Sequence, residues 1–162
     1  MSLRKIHEEL TLEVPESFRE LPAQELDQLY GGSNPNRWGA WDEEQHIILA
    51  VFWHDNTGLL GLLTHVADAK AVAESNEIKM KKAMGGSGYR REGFFPAQVA
   101  GKPAYGFRYS YRAGDVPQVG EAVSFFRDKT CYTLYYYARL DQDEPRCREV
   151  FQAVLQSAAL AE

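Results

Sequence analysis

Hydrophobic and polar positions alternate most clearly in the second half of the chain. Every second position from 105 to 111 is aromatic: Tyr105, Phe107, Tyr109 and Tyr111. In an extended strand all four rings project from one face. The wider pattern predicts three consecutive aromatic strands, Lys102–Ala113, Val119–Lys129 and Thr130–Arg139. Aromatic side chains suit a half-buried sheet surface, so this face is expected to be a packed core, with an open ligand platform as the alternative.

Shorter strands are predicted in the first half of the chain. Residues 10–14 alternate between apolar and polar, which predicts a strand that Pro15 ends. Arg37–Asp42 and Gln45–His54 are separated by two glutamates and are expected to form a hairpin. The second strand of this pair is apolar almost throughout, which is typical of a central strand that is covered on both faces.

Three segments predict helices. Pro22 near its start and Gly31 beyond its end indicate a two-turn helix. Asp68 is a candidate N-cap for a second helix that runs to Met84, and the apolar stripe of this helix is weak. A third helix is expected from about Asp143, with Pro145 in its first turn. Its apolar residues fall on one face: Cys147, Val150, Phe151, Val154, Leu155 and Ala158.

These elements predict an α+β fold. With Tyr89–Val99 counted as a strand, their order is β-α-β-β-α-β-β-β-β-α. Hairpin connections predominate, so the sheet is expected to be mostly antiparallel with helices packed on it. A length of 162 residues suits one domain and is short for two. We therefore treat 1–162 as a single domain.

Composition narrows the range of partners and compartments. The formal net charge of -5 argues against a nucleic acid or an anionic membrane surface as the main partner. Cys131 and Cys147 do not form a disulfide framework and are expected to be small buried hydrophobes, which fits a reducing compartment. The N-terminus lacks the apolar core of a signal peptide, and the most apolar run, Gly58–Leu63, is far shorter than the roughly 20 residues of a membrane span. A cytoplasmic location is the expectation.

Three segments resemble the PsbP-like superfamily. They are Ile6–Phe18 with its strand ending in Val-Pro, Val99–Tyr105 with its Gly-x-Pro-Ala start of a strand, and the late amphipathic helix through Phe151. That superfamily includes the photosystem protein PsbP, the factor that releases nucleotide from Ran, and bacterial DcrB-like proteins, among them the Eag-type secretion chaperones. The resemblance implies an antiparallel sheet sandwiched between helices (α/β/α), usually without enzymatic activity, that binds or chaperones another protein.

Catalytic and metal-binding motifs do not emerge from the sequence. The four histidines lack ligand spacing, and no Cys-x-x-Cys pair accompanies them: His7, His46, His54 and His65. His54 and Asp55 form the most suggestive pair, but neighbours on a strand point to opposite faces, so a solvated strand end is expected. The Gly85–Tyr89 segment has tyrosine where a nucleophile elbow needs glycine. We expect no catalytic residues, no metal and no cofactor.

Two further features indicate binding. Trp38 and Trp41 stand three residues apart on a predicted strand, so their rings face opposite ways. Gly58–Leu63 is either a loop that covers the core or an exposed apolar patch that docks a partner.

The sequence therefore predicts a non-catalytic, protein-binding or chaperone-like module. A partner's apolar helix or peptide would be buried on the aromatic sheet face, with these contact residues: Tyr105, Tyr109 and Tyr111, and Trp38 or Trp41 nearby. The alternative is a small-molecule-binding protein or enzyme with a cleft between sheet and helix, and with His54 and Asp55 at its mouth. A homodimer formed through an exposed edge strand is the further assembly that the sequence allows.

Overall fold

The computed structural model of the protein describes residues 1–44, 46–55 and 68–161. In these ranges the elements follow in this order: β1 (Ser2–Lys5), β2 (Leu10–Val14), β3 (Arg19–Glu20), α1 (Ala23–Tyr30), β4 (Arg37–Asp42), β5 (Ile47–Asp55), α2 (Ala69–Ala83), β6 (Arg90–Val99), β7 (Lys102–Ala113), β8 (Val116–Arg127), β9 (Thr130–Arg139), α3 (Leu140–Ser157) and β10 (Ala159–Leu160). A short 3-10 turn, Gly85–Ser87, follows α2. The predicted α+β class is confirmed.

The main sheet has seven strands in the order β3-β4-β5-β9-β8-β7-β6, and every neighbouring pair is antiparallel. The hairpin of β4 and β5 is confirmed, and β5 lies inside the sheet as its apolar sequence predicted. One boundary differs clearly from the prediction. Helix α3 begins at Leu140 rather than near Asp143, so Pro145 lies inside the helix and not in its first turn.

A second, three-stranded sheet of order β1-β2-β10 joins the two ends of the chain. Of its strands, the sequence predicted only β2, because β1 and β10 are too short to show an alternating pattern. They are fixed by pairing with β2, and the Ala161 amide donates to the Glu9 carbonyl oxygen at 2.7 Å.

The elements form three layers with the main sheet in the middle. Helix α3 and strand β2 cover one face, where the larger core contains Leu12, Leu134, Tyr136 and Phe151. Helix α2 covers the other face over β7 and β8. Cys131 and Cys147 are buried free thiols, as the sequence predicted. In the described ranges, no helix combines the length and the apolar character that a membrane crossing needs.

The two edges of the main sheet differ in their protection. Strand β3 covers part of β4, since Arg19 and Glu20 pair with Trp41 and Ala40. On the other edge, β6 has an irregular register between Arg91 and Gly93, and it contains a proline that lacks a backbone donor. Bulges and prolines limit strand pairing with another chain. The homodimer stays a prediction.

Candidate partner-binding face

The rings of β7 line one face of the sheet, as their alternation predicted. Phe107 and Tyr109 have centroids 5.7 Å apart, and Tyr109 and Tyr111 stack at 6.0 Å. Phe94 of β6 stacks on Tyr105 at 6.1 Å and extends the row to the sheet edge. Phe107 and Tyr109 are fully buried, whereas the other three rings are half-buried. These five rings belong to one hydrophobic cluster, which we call the aromatic face.

The same surface continues across β9 and β5 towards α1. Tyr135 packs edge-on against Phe52 at 5.5 Å, and Phe52 packs edge-on against Tyr30 of α1 at 5.0 Å. The Tyr30 and Tyr137 hydroxyl groups lie 3.1 Å apart and share a hydrogen bond. All four side chains are half-buried. The aromatic surface therefore extends beyond the part that α2 covers.

Three phenols of this surface, those of Tyr109, Tyr111 and Tyr135, are uncharged at physiological pH. Burial holds the pKa of Tyr109 well above its ordinary value of 10.0, and the neighbouring phenols raise it further. Burial likewise raises the pKa of Tyr111 and of Tyr135 to about 12. The face is thus apolar in its rings and carries neutral hydroxyl groups, a combination that suits contact with another protein.

Helix α2 is the cover of the aromatic face, and it begins as the sequence predicted. The Asp68 side chain accepts a hydrogen bond of 2.7 Å from the Ala71 amide, which caps the helix. The buried residues of α2 are Ala73 and Glu77, and its half-buried stripe carries the residues Ala69, Val72, Asn76 and Met80. A small apolar residue and a carboxylate thus occupy the centre of the helix surface that meets the rings.

Among the described residues, the polar side chains of α2 that face the sheet make long contacts with it. The Glu77 side chain is only 7% exposed, and the distance to its ion-pair partner Arg91 is 3.8 Å. The carboxylate also interacts with the Tyr89 phenol, whose pKa rises to about 12 through burial, through the Glu77 charge and through a hydrogen bond with Glu77. The Asn76 amide donates to the hydroxyls of Ser124 and Thr133 at 3.5 and 3.4 Å. Because burying a charge costs free energy unless it is closely paired, α2 is a poorly matched cover.

The two tryptophans lie apart from the tyrosines. Trp38 is buried in the larger core on the opposite sheet face. The cross-strand pairs that start at Trp38 lead to Gly106 of β7, which faces away from the aromatic side because it lies between Tyr105 and Phe107. Trp41 lies in the row of Tyr109 on the aromatic side, four strands or about 19 Å away. It is half-buried in a groove of about 320 Å³ under the Arg19 guanidinium, which lies 5.6 Å from its ring.

A cleft of about 380 Å³ opens between α2 and the sheet beside the aromatic face, and His54 lines it. Cys131 stands directly opposite His54 on β9, a pairing that only the strand register reveals. Burial raises the pKa of the Cys131 thiol to about 11, so the thiol is protonated and a weak nucleophile at neutral pH. The Asp55 side chain and the segment Gly58–Leu63 lie outside the described residues. Among those described, no three His, Cys, Asp or Glu side chains are grouped to hold a metal ion.

Comparison with known proteins identifies the fold. No protein-family model matches the sequence, and no curated protein matches it. Among solved structures, cyanobacterial PsbP from Synechocystis is similar, with a TM-score of 0.66 and 14% identity over 94% of this chain and 86% of that one. The Ran-binding protein Mog1p of Saccharomyces cerevisiae has a TM-score of 0.61 and 10% identity, over 93% and 89%.

The chain has the PsbP-like fold. A third protein of this shape is LpqN of Mycobacterium tuberculosis, which is involved in cell envelope biogenesis, with a TM-score of 0.53 and 18% identity over 94% of this chain and 83% of that one. These identities show the fold alone. The PsbP-like fold is the scaffold on which the aromatic face and its α2 cover are built, and a scaffold does not fix function.

Proposed function

We propose that this protein is a non-catalytic, chaperone-like module that binds the apolar side of a partner protein's helix on the aromatic face. Helix α2 occupies that position in the free protein, and the partner helix displaces it. The single observation that carries the proposal is that the aromatic face is apolar, whereas the residues of α2 buried against it are a small alanine, Ala73, and a charged residue, Glu77.

The mismatch has an energetic consequence. Ala73 buries little apolar area, whereas a partner helix with leucine or phenylalanine at that position would gain about 1.5–3 kcal/mol for each side chain it buries. Displacing α2 also returns the Glu77 carboxylate to water and removes its desolvation cost. Both changes favour exchange of α2 for a more apolar helix.

The half-buried rings at the margin of α2 support the same proposal. Tyr105 and Tyr111 lie at the two ends of the β7 row and retain accessible surface beside the helix. The Lys70 ammonium lies 6.0 Å from the Tyr105 ring centroid and flanks this margin. A partner can first contact these rings and then reach the buried Tyr109 as α2 moves. Trp41 extends the same side of the sheet as a second contact region, whereas Trp38 is buried behind it.

Known proteins of the same shape support a protein partner. Mog1p, a Ran-binding protein, matches over most of both chains. Neutral phenols and a formal net charge of -5 also make a nucleic acid an unfavourable partner for this surface. Protein binding by a similar chain is support for the class of partner and not for its identity.

The second candidate function is small-molecule binding in the cleft that His54 lines. The observation in its favour is the convergence of His54, Cys131, Asn76 and Lys79 around a space of about 380 Å³, which is within the range of ligand pockets. The neutral Cys131 thiol argues against cysteine nucleophile chemistry there. Partner binding on the aromatic face therefore ranks first.

The test uses amphipathic helical peptides selected by display against the purified protein, with affinity measured by fluorescence anisotropy. Tyr105→Ser and Tyr111→Ser should each weaken binding about tenfold, the loss expected of one aromatic contact. Leu3→Ser is the matched control, because Leu3 is a large apolar residue that is 69% exposed on β1 and lies off the aromatic face. The affinity of the Leu3→Ser variant for the peptides should not change.

A disulfide lock tests the displacement of α2 directly. Ala73 and Ala122 are buried in the same cluster on α2 and β8, so an Ala73→Cys, Ala122→Cys pair should hold the helix on the sheet. The oxidised protein should lose peptide binding, and reduction should restore it. Equal binding by the wild type, the locked form and both tyrosine variants would refute the proposal.

A further inference from the structure

A buried ion pair lies on the opposite face of the main sheet, under α3. Arg108 and Glu121 stand directly across from each other on β7 and β8, and they are 8% and 6% exposed. The Arg108 guanidinium donates from Nη1 to Glu121 Oε1 at 3.2 Å and to the Tyr136 hydroxyl at 3.1 Å. The sequence carries a signal for this pair, since Glu121 is a lone charge in an apolar stretch of β8.

A β-bulge adds a third charge to this pair. Arg91 lies opposite Tyr109 and Gly93 lies opposite Arg108, so Glu92 is an extra residue in the edge strand. Gly93 has a φ of +155°, a conformation that favours glycine. The bulge lets Glu92 reach the same guanidinium, which donates from Nε to Glu92 Oε2 at 2.9 Å.

Stability does not account for this arrangement. Desolvating each ion is costly, and apolar residues of similar volume are often as stabilising as a buried ion pair. Bulges are over-represented at sheet edges and next to active sites, where they end strand pairing or re-aim a side chain. The bulge limits strand pairing at this edge, and by bringing Glu92 onto the Arg108 guanidinium it also builds a charged group that suits a ligand.

Space for a ligand is present at the same place. A cleft of about 520 Å³ opens between β6 and α3, and these residues line it: Glu92, Gly93, Arg108, Glu121, Arg148 and Gln152. We call it the charged cleft. Arg108 and Glu121 are its buried charges, and the exposed Arg148 and Gln152 stand one helical turn apart on α3. Its volume is within the range of small-molecule sites.

The charges of the cleft define the ligand's chemistry. Its four charged lining residues, Glu92, Glu121, Arg108 and Arg148, sum to a net charge of about zero, which suits a ligand that carries one charge of each sign. Arg148 on α3 supplies a positive group, and the Gln152 amide supplies a donor beside it. We propose that the charged cleft binds a small zwitterion, with its ammonium group at Glu92 and Glu121 and its carboxylate at Arg148 and Gln152.

The test is an NMR titration of the full chain with three probes that share a five-carbon chain: δ-aminovalerate, cadaverine and glutarate. The zwitterion δ-aminovalerate should shift the backbone amides of Gly93, Glu121 and Gln152 in a saturable way, and it should bind more tightly than the diamine or the diacid. No saturable shift with any probe, or equal binding of cadaverine and δ-aminovalerate, would overturn the proposal.

Two variants test separately the contacts of the ligand's ammonium group and of its carboxylate. Glu92→Gln should weaken δ-aminovalerate binding about tenfold by removing the charge that faces the ammonium group. Arg148→Ala should weaken δ-aminovalerate binding and should not weaken cadaverine binding. Arg146→Ala is the matched control, an exposed arginine on the same helix that does not line the cleft. Unchanged δ-aminovalerate affinity in both cleft variants would contradict the assignment.

Discussion

The phenol of Tyr109 lies directly over the backbone of Gly120 on the neighbouring strand. A Cβ atom built on Gly120 would be 2.6 Å from the Tyr109 hydroxyl oxygen and 2.5 Å from the Tyr136 carbonyl oxygen. Both distances are shorter than real Cβ contacts. Because Gly120 has no side chain, it leaves the space that the buried Tyr109 ring occupies on the aromatic face.

Replacing this glycine should destabilise the protein. Gly120→Ala forces the Tyr109 ring and a backbone oxygen to move, so we expect the free energy of unfolding in urea to fall by about 1–3 kcal/mol. Gly85→Ala is the control, because no atom lies within 4 Å of a Cβ built there. Equal stability of the two variants would show that Tyr109 does not occupy this position.

Removing the buried charge of α2 should strengthen the packing of this helix on the aromatic face. Glu77→Leu replaces a carboxylate that faces the aromatic rings, and we expect the free energy of unfolding to rise by about 1 kcal/mol or more. Peptide binding on the aromatic face should weaken in the same variant, since α2 becomes harder to displace. Glu74→Leu changes an exposed position of the same helix and should alter neither quantity. Tighter peptide binding by Glu77→Leu would contradict the displacement of α2.

Loss of the α2 cap should have the opposite effect on binding. Asp68→Ala removes the hydrogen bond to the Ala71 amide and should cost the helix about 1 kcal/mol. Amide hydrogen exchange within α2 should accelerate, and peptide affinity should rise. Ser75→Ala, at an exposed position without a capping role, is the comparison. Weaker peptide affinity together with faster α2 exchange would contradict the account.

Much of this architecture follows from local patterns. The strand pattern of β7 fixes which rings share a face, because side chains alternate with a period of two. The same rule correctly sets Trp38 and Trp41 on opposite faces. The short strands β1 and β10 carry no such period and depend on pairing with β2.

Contacts across strands could not be derived in the same way. The pairing of Arg108 with Glu121 depends on the register of the β7–β8 hairpin, and the pairing of His54 with Cys131 depends on the register of two strands that are far apart in the sequence. The burial of Glu77 against the sheet depends on which side of α2, a weakly amphipathic helix, meets the sheet. The candidate sites are defined by these tertiary contacts, namely the strand pairings and the side of α2 that is buried.

Alkaline pH should weaken the fold through its buried phenols. The folded-state pKa of Tyr111, Tyr135 and Tyr136 is about 12, above the ordinary 10.0 of an unfolded chain. Between these values the unfolded state loses phenol protons that the folded state retains, so the free energy of unfolding falls as the pH rises. Below pH 10 this contribution is fully present.

Phenolate absorbance, followed from about pH 9 to about pH 12, checks this prediction. In native protein several of the nine tyrosines should ionise late, and in urea all nine should ionise together near 10. Ionisation of all nine near 10 in the native protein would show that these phenols are not buried.

The most direct test is hydrogen exchange on the protein saturated with a selected amphipathic peptide. If the partner helix replaces α2 on the aromatic face, the amides of Ala69–Ala83 should exchange faster on binding, whereas those of Lys102–Ala113 keep or gain protection. Unchanged protection of α2 with the peptide bound would contradict the account.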